Sequence, residues 1–166
     1  MAQSPILTAF MRSPFRYPGG KTWLVPRFRQ WLRSLPESNR KELIEPFAGG
    51  GIISLTAAFE GLTNCVTMVE LDSDVAAVWQ TILGGDAEWL ANKIVSFSLT
   101  PHCVQSELDR QPRSTPERAF QTVLRNRINH GGILAPGSGR LKFGENGKGM
   151  ASRWYPQTLQ RRILNI

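Results

Sequence analysis

Cysteine is scarce in this chain: Cys65 and Cys103 are the only two among 166 residues. Two thiols, one of them inside an apolar run, cannot build the multi-bridge framework of a small secreted fold, so free thiols in a reducing cytoplasm are expected. Histidine is equally sparse. His102 and Cys103 stand side by side, but a metal site needs a second pair of ligands, and no metal is expected. No apolar run approaches the length of a membrane span, and the N-terminus lacks the basic, apolar, small-residue order of a signal peptide, so no membrane partner is expected. Acidic residues are missing from one half only. Residues 1–100 carry nine Lys/Arg and nine Asp/Glu, whereas residues 101–166 carry eleven against four, which places the whole net charge of +7 there. A solvated basic surface is the plain explanation. A polyanion partner, most simply nucleic acid, is the functional one.

What is present begins with FRYPGGKT, residues 15–22. Its glycines, Lys21 and Thr22 look like the end of a phosphate-binding loop. That loop needs a glycine five positions before Gly20, where the backbone curls so that successive N–H groups surround a phosphate; Phe15 stands there instead. No clean apolar strand precedes it either, so Lys21 needs another task.

Periodicity predicts a helix over 22–36, with Leu24, Phe28, Trp31, Leu32 and Leu35 on one face and Pro36 as its stop. A short strand at 42–47 breaks at AGGG, a helix follows over 53–60, and CVTMVEL (65–71) is a β-branched strand. Residues 72–83 form a helix with an Asp/Ser cap. Helices are also predicted at 89–99, at 115–128 with a threonine cap and Pro116 in its first turn, and from 156 onward. Between the last two, residues 131–152 hold seven glycines with Arg140, Lys142 and Lys148, a long basic loop. Two strands are too few for a doubly wound core, so the sheet is expected to be incomplete.

The strongest local signal is EPFAGGG (45–51) followed by VELD (69–72). A glycine loop after a strand lets a ligand lie against bare backbone. An acid at the tip of the next strand, Glu70, can accept both ribose hydroxyl protons. This suits NAD and S-adenosylmethionine alike. Two features separate them: Ser54 occupies the place of the third glycine, and Glu45 before the loop would repel a pyrophosphate but tolerate a sulfonium. The carboxylate of such a ligand needs a donor, which Lys21 can supply.

FRYPGGK, EPFAGGG and VELD, followed in order by NRINHGG (126–132), together resemble the Dam-type family of adenine-specific DNA methyltransferases, from about residue 12 to the last. The resemblance implies an α/β, Rossmann-like S-adenosylmethionine-dependent methyltransferase fold with an inserted, mainly helical DNA-recognition region. It divides the chain into the N-terminal part of the cofactor-binding domain (1–100), a recognition region with the basic glycine-rich loop (101–152), and the start of the return to the catalytic domain (153–166). It places Tyr17, Pro18 and Lys21 at the methionine end of S-adenosylmethionine, Glu45 near its amino group, Phe47, Gly49 and Gly51 along its loop, and Glu70 on its ribose. Core aromatics, a simple turn and a helix cap are the bland readings of Tyr17 and Phe47, of the glycines and of Glu70.

For double-stranded DNA the resemblance implies Asn126 and Arg127, the arginine meeting phosphate, together with His130, Gly132, Arg140 and Lys142. An arginine at a helix end also suits the carbonyl dipole. Where the family continues with an aromatic and Asn-Gly, this chain has His130, Gly131 and Gly132, which leaves the target sequence open. The family's catalytic Asp-Pro-Pro-Tyr has no counterpart, since no Pro-Pro pair occurs, and the catalytic residues stay unassigned. The expectation is a chain that ends short of its catalytic strand, is inactive alone, and is completed by a second chain or a further C-terminal part. Leu24, Phe28, Trp31, Phe59 and Trp79 would then face a half-built sheet.

Overall fold

The computed structural model describes residues 12–16, 20–37 and 42–166. Tyr17 and Pro18 lie outside the described residues. The chain forms two compact units, Met1–Ser13 with Gly19–Leu71, and Pro14–Pro18 with Asp72–Ile166.

In the first unit a 3-10 turn, Lys21–Leu24, runs into helix α1, Val25–Ser34. Pro26 sits in the first turn, where the missing N–H has no helical partner to lose. Strand β1 (Glu42–Pro46), helix α2 (Ile52–Phe59) and strand β2 (Cys65–Val69) follow. The strands pair in parallel, from Glu42 opposite Cys65 to Pro46 opposite Val69, and α2 is the crossover that a parallel pair requires. Val25, Phe28 and Leu32 of α1 pack with Ile52, Ile53 and Ala57 of α2, and Leu43 and Val66 close the cluster from the sheet. Alternation along the strands turns Ile44 and Val69 to the other side, where both are exposed. Among the described residues, the sheet has these two strands.

Arg29 locks α1 to the end of α2. Its Nε and Nη2 donate to Glu60 at 2.8 and 2.6 Å, with Arg12 at 3.4 Å and Arg33 at 3.9 Å. Burial alone would push the Glu60 carboxyl up. The hydrogen bond and charge of Arg29, with the charges of Arg12 and Arg33, outweigh it and hold the group below its ordinary range.

The second unit is helical: α3 (Ser73–Leu83), α4 (Ala87–Ser96), α5 (Pro101–Asp109), α6 (Thr115–Ile128) and α7 (Pro156–Leu164). α3 packs along α6 and α4 along α7. Val78, Leu90, Ile94, Phe120, Leu124, Leu159 and Ile163 are fully enclosed. Asp72 caps α3 by accepting from the N–H groups of Asp74 and Val75.

Three expectations change here. Helix α5 is additional: Thr100 caps it by accepting from Cys103 N–H, and Pro101 opens it, a start signal hidden by a helix face with little besides Val104 to bury. The cap of α6 is Ser114, whose Oγ accepts from Glu117 N–H, and Thr115 is already helical. The side chains expected to face a half-built sheet divide. Phe28 and Trp79 are buried, Leu24 is half-buried, and Trp31 and Phe59 are exposed. Trp79 meets Phe15 within this unit, ring centroids 5.8 Å apart.

Nor is the glycine-rich stretch a bare loop. Arg140 bridges antiparallel to Asn129, His130 N–H donates to Gly139 O, Leu141 N–H donates to Ile128 O, and three 3-10 turns shape residues 130–153.

Candidate cofactor site and nucleic-acid interface

The first candidate site is built at the C-terminal ends of β1 and β2. After Pro46 the chain reverses sharply: Phe47, Gly49 and Gly51 all have positive φ, and Ala48 N–H donates to Val69 O at 2.9 Å. Glycine adopts that conformation freely, but Phe47 (φ +55) does so at a cost while its ring stays 72% exposed. A strained, exposed aromatic at a strand end is a feature that packing alone does not require.

Glu45 lies beneath this loop, 4% exposed. One carboxylate oxygen accepts from both the N–H and the Oγ of Ser54, at 2.9 and 2.6 Å. The other accepts from Lys21 Nζ at 2.9 Å, and the same ammonium donates to Phe47 O at 2.7 Å. From β2, Glu70 accepts Gly49 N–H at 2.6 Å. Lys21, Glu45, Phe47, Gly49, Gly51 and Glu70 are thus gathered around one loop. Ser54 belongs with them: its spacing after the loop marks it only as the absent third glycine, yet it holds the buried acid.

This arrangement decides which ligand charge suits the loop. The N-terminus of a helix after a glycine loop draws an anion through its unpaired N–H groups and dipole. Here Glu45 of the chain itself fills that role for α2. A pyrophosphate placed there would be repelled by that carboxylate, whereas a cation would be attracted to it. The Lys21–Glu45 pair offers an ammonium and a carboxylate side by side, the complement of an amino acid's own two charges.

The second candidate site lies in the helical unit. A pocket of about 720 Å³ is lined by Arg16, His130, Arg140, Lys142, Phe143, Ser152 and Arg153 together with Gly131, Gly139, Leu141 and Gly144. It brings His130, Arg140 and Lys142 together and adds Arg16, to which the FRYPGGK motif gives no role, and Phe143 and Arg153, which no motif marks. Other basic residues of the charged half are engaged elsewhere: Arg125 and Arg118 pair with Asp74 at 2.7 and 3.8 Å, and Arg110 with Glu107 and Glu117, both at 2.8 Å.

Asn126 and Arg127 do not join that surface. Asn126 is 1% exposed, accepts from Arg16 N–H, and donates to the carbonyls of Arg16 and Gly132. Arg127 is also enclosed and donates to Pro14 O. Burial, then the charges of Arg162 and Arg16, push its guanidinium down to about 9. The expectation that Arg127 meets phosphate therefore differs from its placement: the inward face of α6 spends both polar side chains on the 14–16 segment. Gly132 completes this join. Its φ is +76, and a Cβ there would lie 2.6 Å from Arg16 O. As for His102 and Cys103, the described residues contain no group of three or more metal-ligating side chains.

A parallel strand–loop–helix–strand unit, with a glycine loop and acids at its strand ends, makes the first unit mixed α/β. Residues 17–86 match the model of the D12 class N6 adenine-specific DNA methyltransferases. The match covers Lys21, the glycine loop and Glu70, in three of the four segments that carry the resemblance, and stops before NRINHGG and the basic half. No curated relative matches the chain. No helix among the described residues is long and apolar enough to cross a membrane.

Proposed function

We propose that this chain forms the S-adenosylmethionine site and part of the DNA interface of an adenine-specific DNA methyltransferase. One observation carries the cofactor choice: the buried Glu45 carboxylate already occupies the N-terminus of α2, between Ser54 and Lys21. The residues fit a sulfonium nucleoside. Lys21 and Glu45 would meet its methionine carboxylate and amino group, Glu70 its ribose hydroxyls, and Phe47, Gly49 and Gly51 would line its bed, with Tyr17 and Pro18 continuing the lysine segment. When bound, S-adenosylmethionine supplies the methyl group; the chain's own part is to bind and orient.

For DNA, His130, Arg140 and Lys142 are contact residues on the fold assigned to 101–152. Asn126, Arg127 and Gly132 act as positioning residues that set Arg16 at the pocket. The resemblance gives acceptance of the adenine amino group to an Asp-Pro-Pro-Tyr strand, and no Pro-Pro pair occurs in these 166 residues. DNA binding without turnover is the second reading, favoured by the basic lining of the 130–153 pocket. A nicotinamide enzyme is disfavoured by Glu45.

Calorimetric titration tests the proposal. S-adenosylmethionine is expected to bind, Glu70→Ala to weaken it at least tenfold, and NAD to give no heat. Saturable NAD binding, or no response to S-adenosylmethionine, overturns the assignment.

A further inference from the structure

We propose that the pocket formed by residues 130–153 with Arg16 is a nucleotide seat, taking one backbone phosphate of a DNA strand with its base against Phe143. The proposal rests on the DNA-interface reading and names which groups perform it. The lining includes four basic side chains, Arg16, Arg140, Lys142 and Arg153, and Arg140 Nη2 also donates to Gln105 Oε1 at 2.8 Å. Basic side chains clustered around a partly enclosed pocket raise the local concentration of an anion.

Ser152 gives the second, independent observation. It is 2% exposed, lines the pocket, and its Oγ has no hydrogen-bond partner among the described residues. A buried hydroxyl without a partner costs free energy unless a ligand supplies one, and a phosphate oxygen is an acceptor of the right kind. The backbone keeps that hydroxyl in place. Gly144, at φ +60, lies so close that a Cβ would fall 2.5 Å from Ser152 Oγ.

Size and shape extend the ligand beyond an isolated anion. At about 720 Å³ the pocket is larger than a phosphate needs, and the range for small-molecule pockets, about 300–1,000 Å³, leaves room for a sugar and base. Phe143 is 82% exposed at its edge. An exposed ring beside a cluster of cations is the pairing by which proteins stack a base while neutralising its backbone. Such contacts carry affinity and register rather than sequence choice.

The test is fluorescence anisotropy of a labelled duplex with the full chain across a salt series. Circular dichroism checks that each variant folds, and a parallel S-adenosylmethionine titration judges the cofactor reading separately. Lys142→Gln is expected to reduce the salt slope by about one. Ser152→Ala should weaken binding about three- to tenfold with the slope unchanged, and Phe143→Ala about five- to tenfold. Lys142 and Phe143 are exposed, so their replacement keeps the test valid if Ser152→Ala disturbs the fold. Arg113→Gln, an equal charge change outside the pocket, should lower affinity less than Lys142→Gln.

Wild-type affinity in Lys142→Gln and Phe143→Ala, or equal losses from Arg113→Gln and Lys142→Gln, overturns the seat while duplex binding itself survives. If the wild type ignores duplex DNA but binds the dinucleotide pTpT in a Lys142-dependent way, the seat stands and the duplex reading falls. Failure to bind either one overturns the seat.

Discussion

Two glycine-rich segments do opposite electrostatic work in this chain. At 47–51 the glycines bring backbone N–H groups onto the protein's own acids: Gly49 donates to Glu70, and Ser54, just beyond, donates to Glu45. At 131–149 the glycines open a pocket whose charged walls are arginine and lysine. The first loop has supplied its own anion, whereas the charged side chains described around the second pocket are basic. Glycine content by itself therefore says only that backbone is accessible. The charge of the side chains beneath it decides what may approach.

The largest test of that contrast removes the anion from the first loop. Glu45→Ala should cost about 3 kcal/mol, because Lys21 and the start of α2 lose a mostly buried partner, and should lower S-adenosylmethionine affinity at least tenfold. Thermal melts and calorimetry read both effects. A variant with wild-type melting and binding would erase the distinction between the loops.

Gly132→Ala probes the second segment alone. A Cβ 2.6 Å from Arg16 O at φ +76 should cost about 1–3 kcal/mol and weaken duplex binding, while cofactor affinity stays at the wild-type level. Coupled loss of both affinities would contradict independent roles.

Acid titration addresses the scaffold under the first loop. The Glu60 carboxyl is held below its ordinary carboxylate range in the folded chain, against burial, by the hydrogen bond and charge of Arg29. Its contribution is therefore full above the range in which the unfolded carboxyl titrates and is lost as pH falls through the lowered folded value. Glu60→Gln should destabilise by about 2 kcal/mol at neutral pH and flatten this acid limb in denaturant melts. An unchanged limb would assign the acid sensitivity to other carboxylates.

The smallest effect has two signs. Phe47→Gly relieves a left-handed residue and should raise stability by up to about 1 kcal/mol, yet weaken the cofactor by removing an exposed ring. A stabilised variant that keeps full affinity would make Phe47 a bystander.

Much of the first unit was legible because its signals are local. Strand ends, the glycine break and the acids at 45 and 70 sit within one βαβ stretch, where spacing alone brings them to the same edge. Ser54 was visible only as a missing glycine, because its hydrogen bonds to Glu45 span nine residues. In the second unit the basic excess was plain, but its distribution was not. Asn126 reads as a motif residue, and only the structure shows its side chain hydrogen-bonded to the backbone of Arg16, 110 positions away. Helix α5 escaped because periodicity needs a broad apolar face and this helix has one fully buried residue, Val104.

The sequence by itself determined the strand–helix–strand order of the first unit, the acid and glycine positions of the first site, and the surplus of positive charge in the last 66 residues. Those properties depend on residue type and on neighbours a few places apart. Tertiary structure decided which cations share a pocket, which arginines are buried, and that Glu45 meets Lys21 across the loop. Such facts are set by packing between segments far apart in the chain, where burial and distance, rather than residue identity, fix what a charge can do.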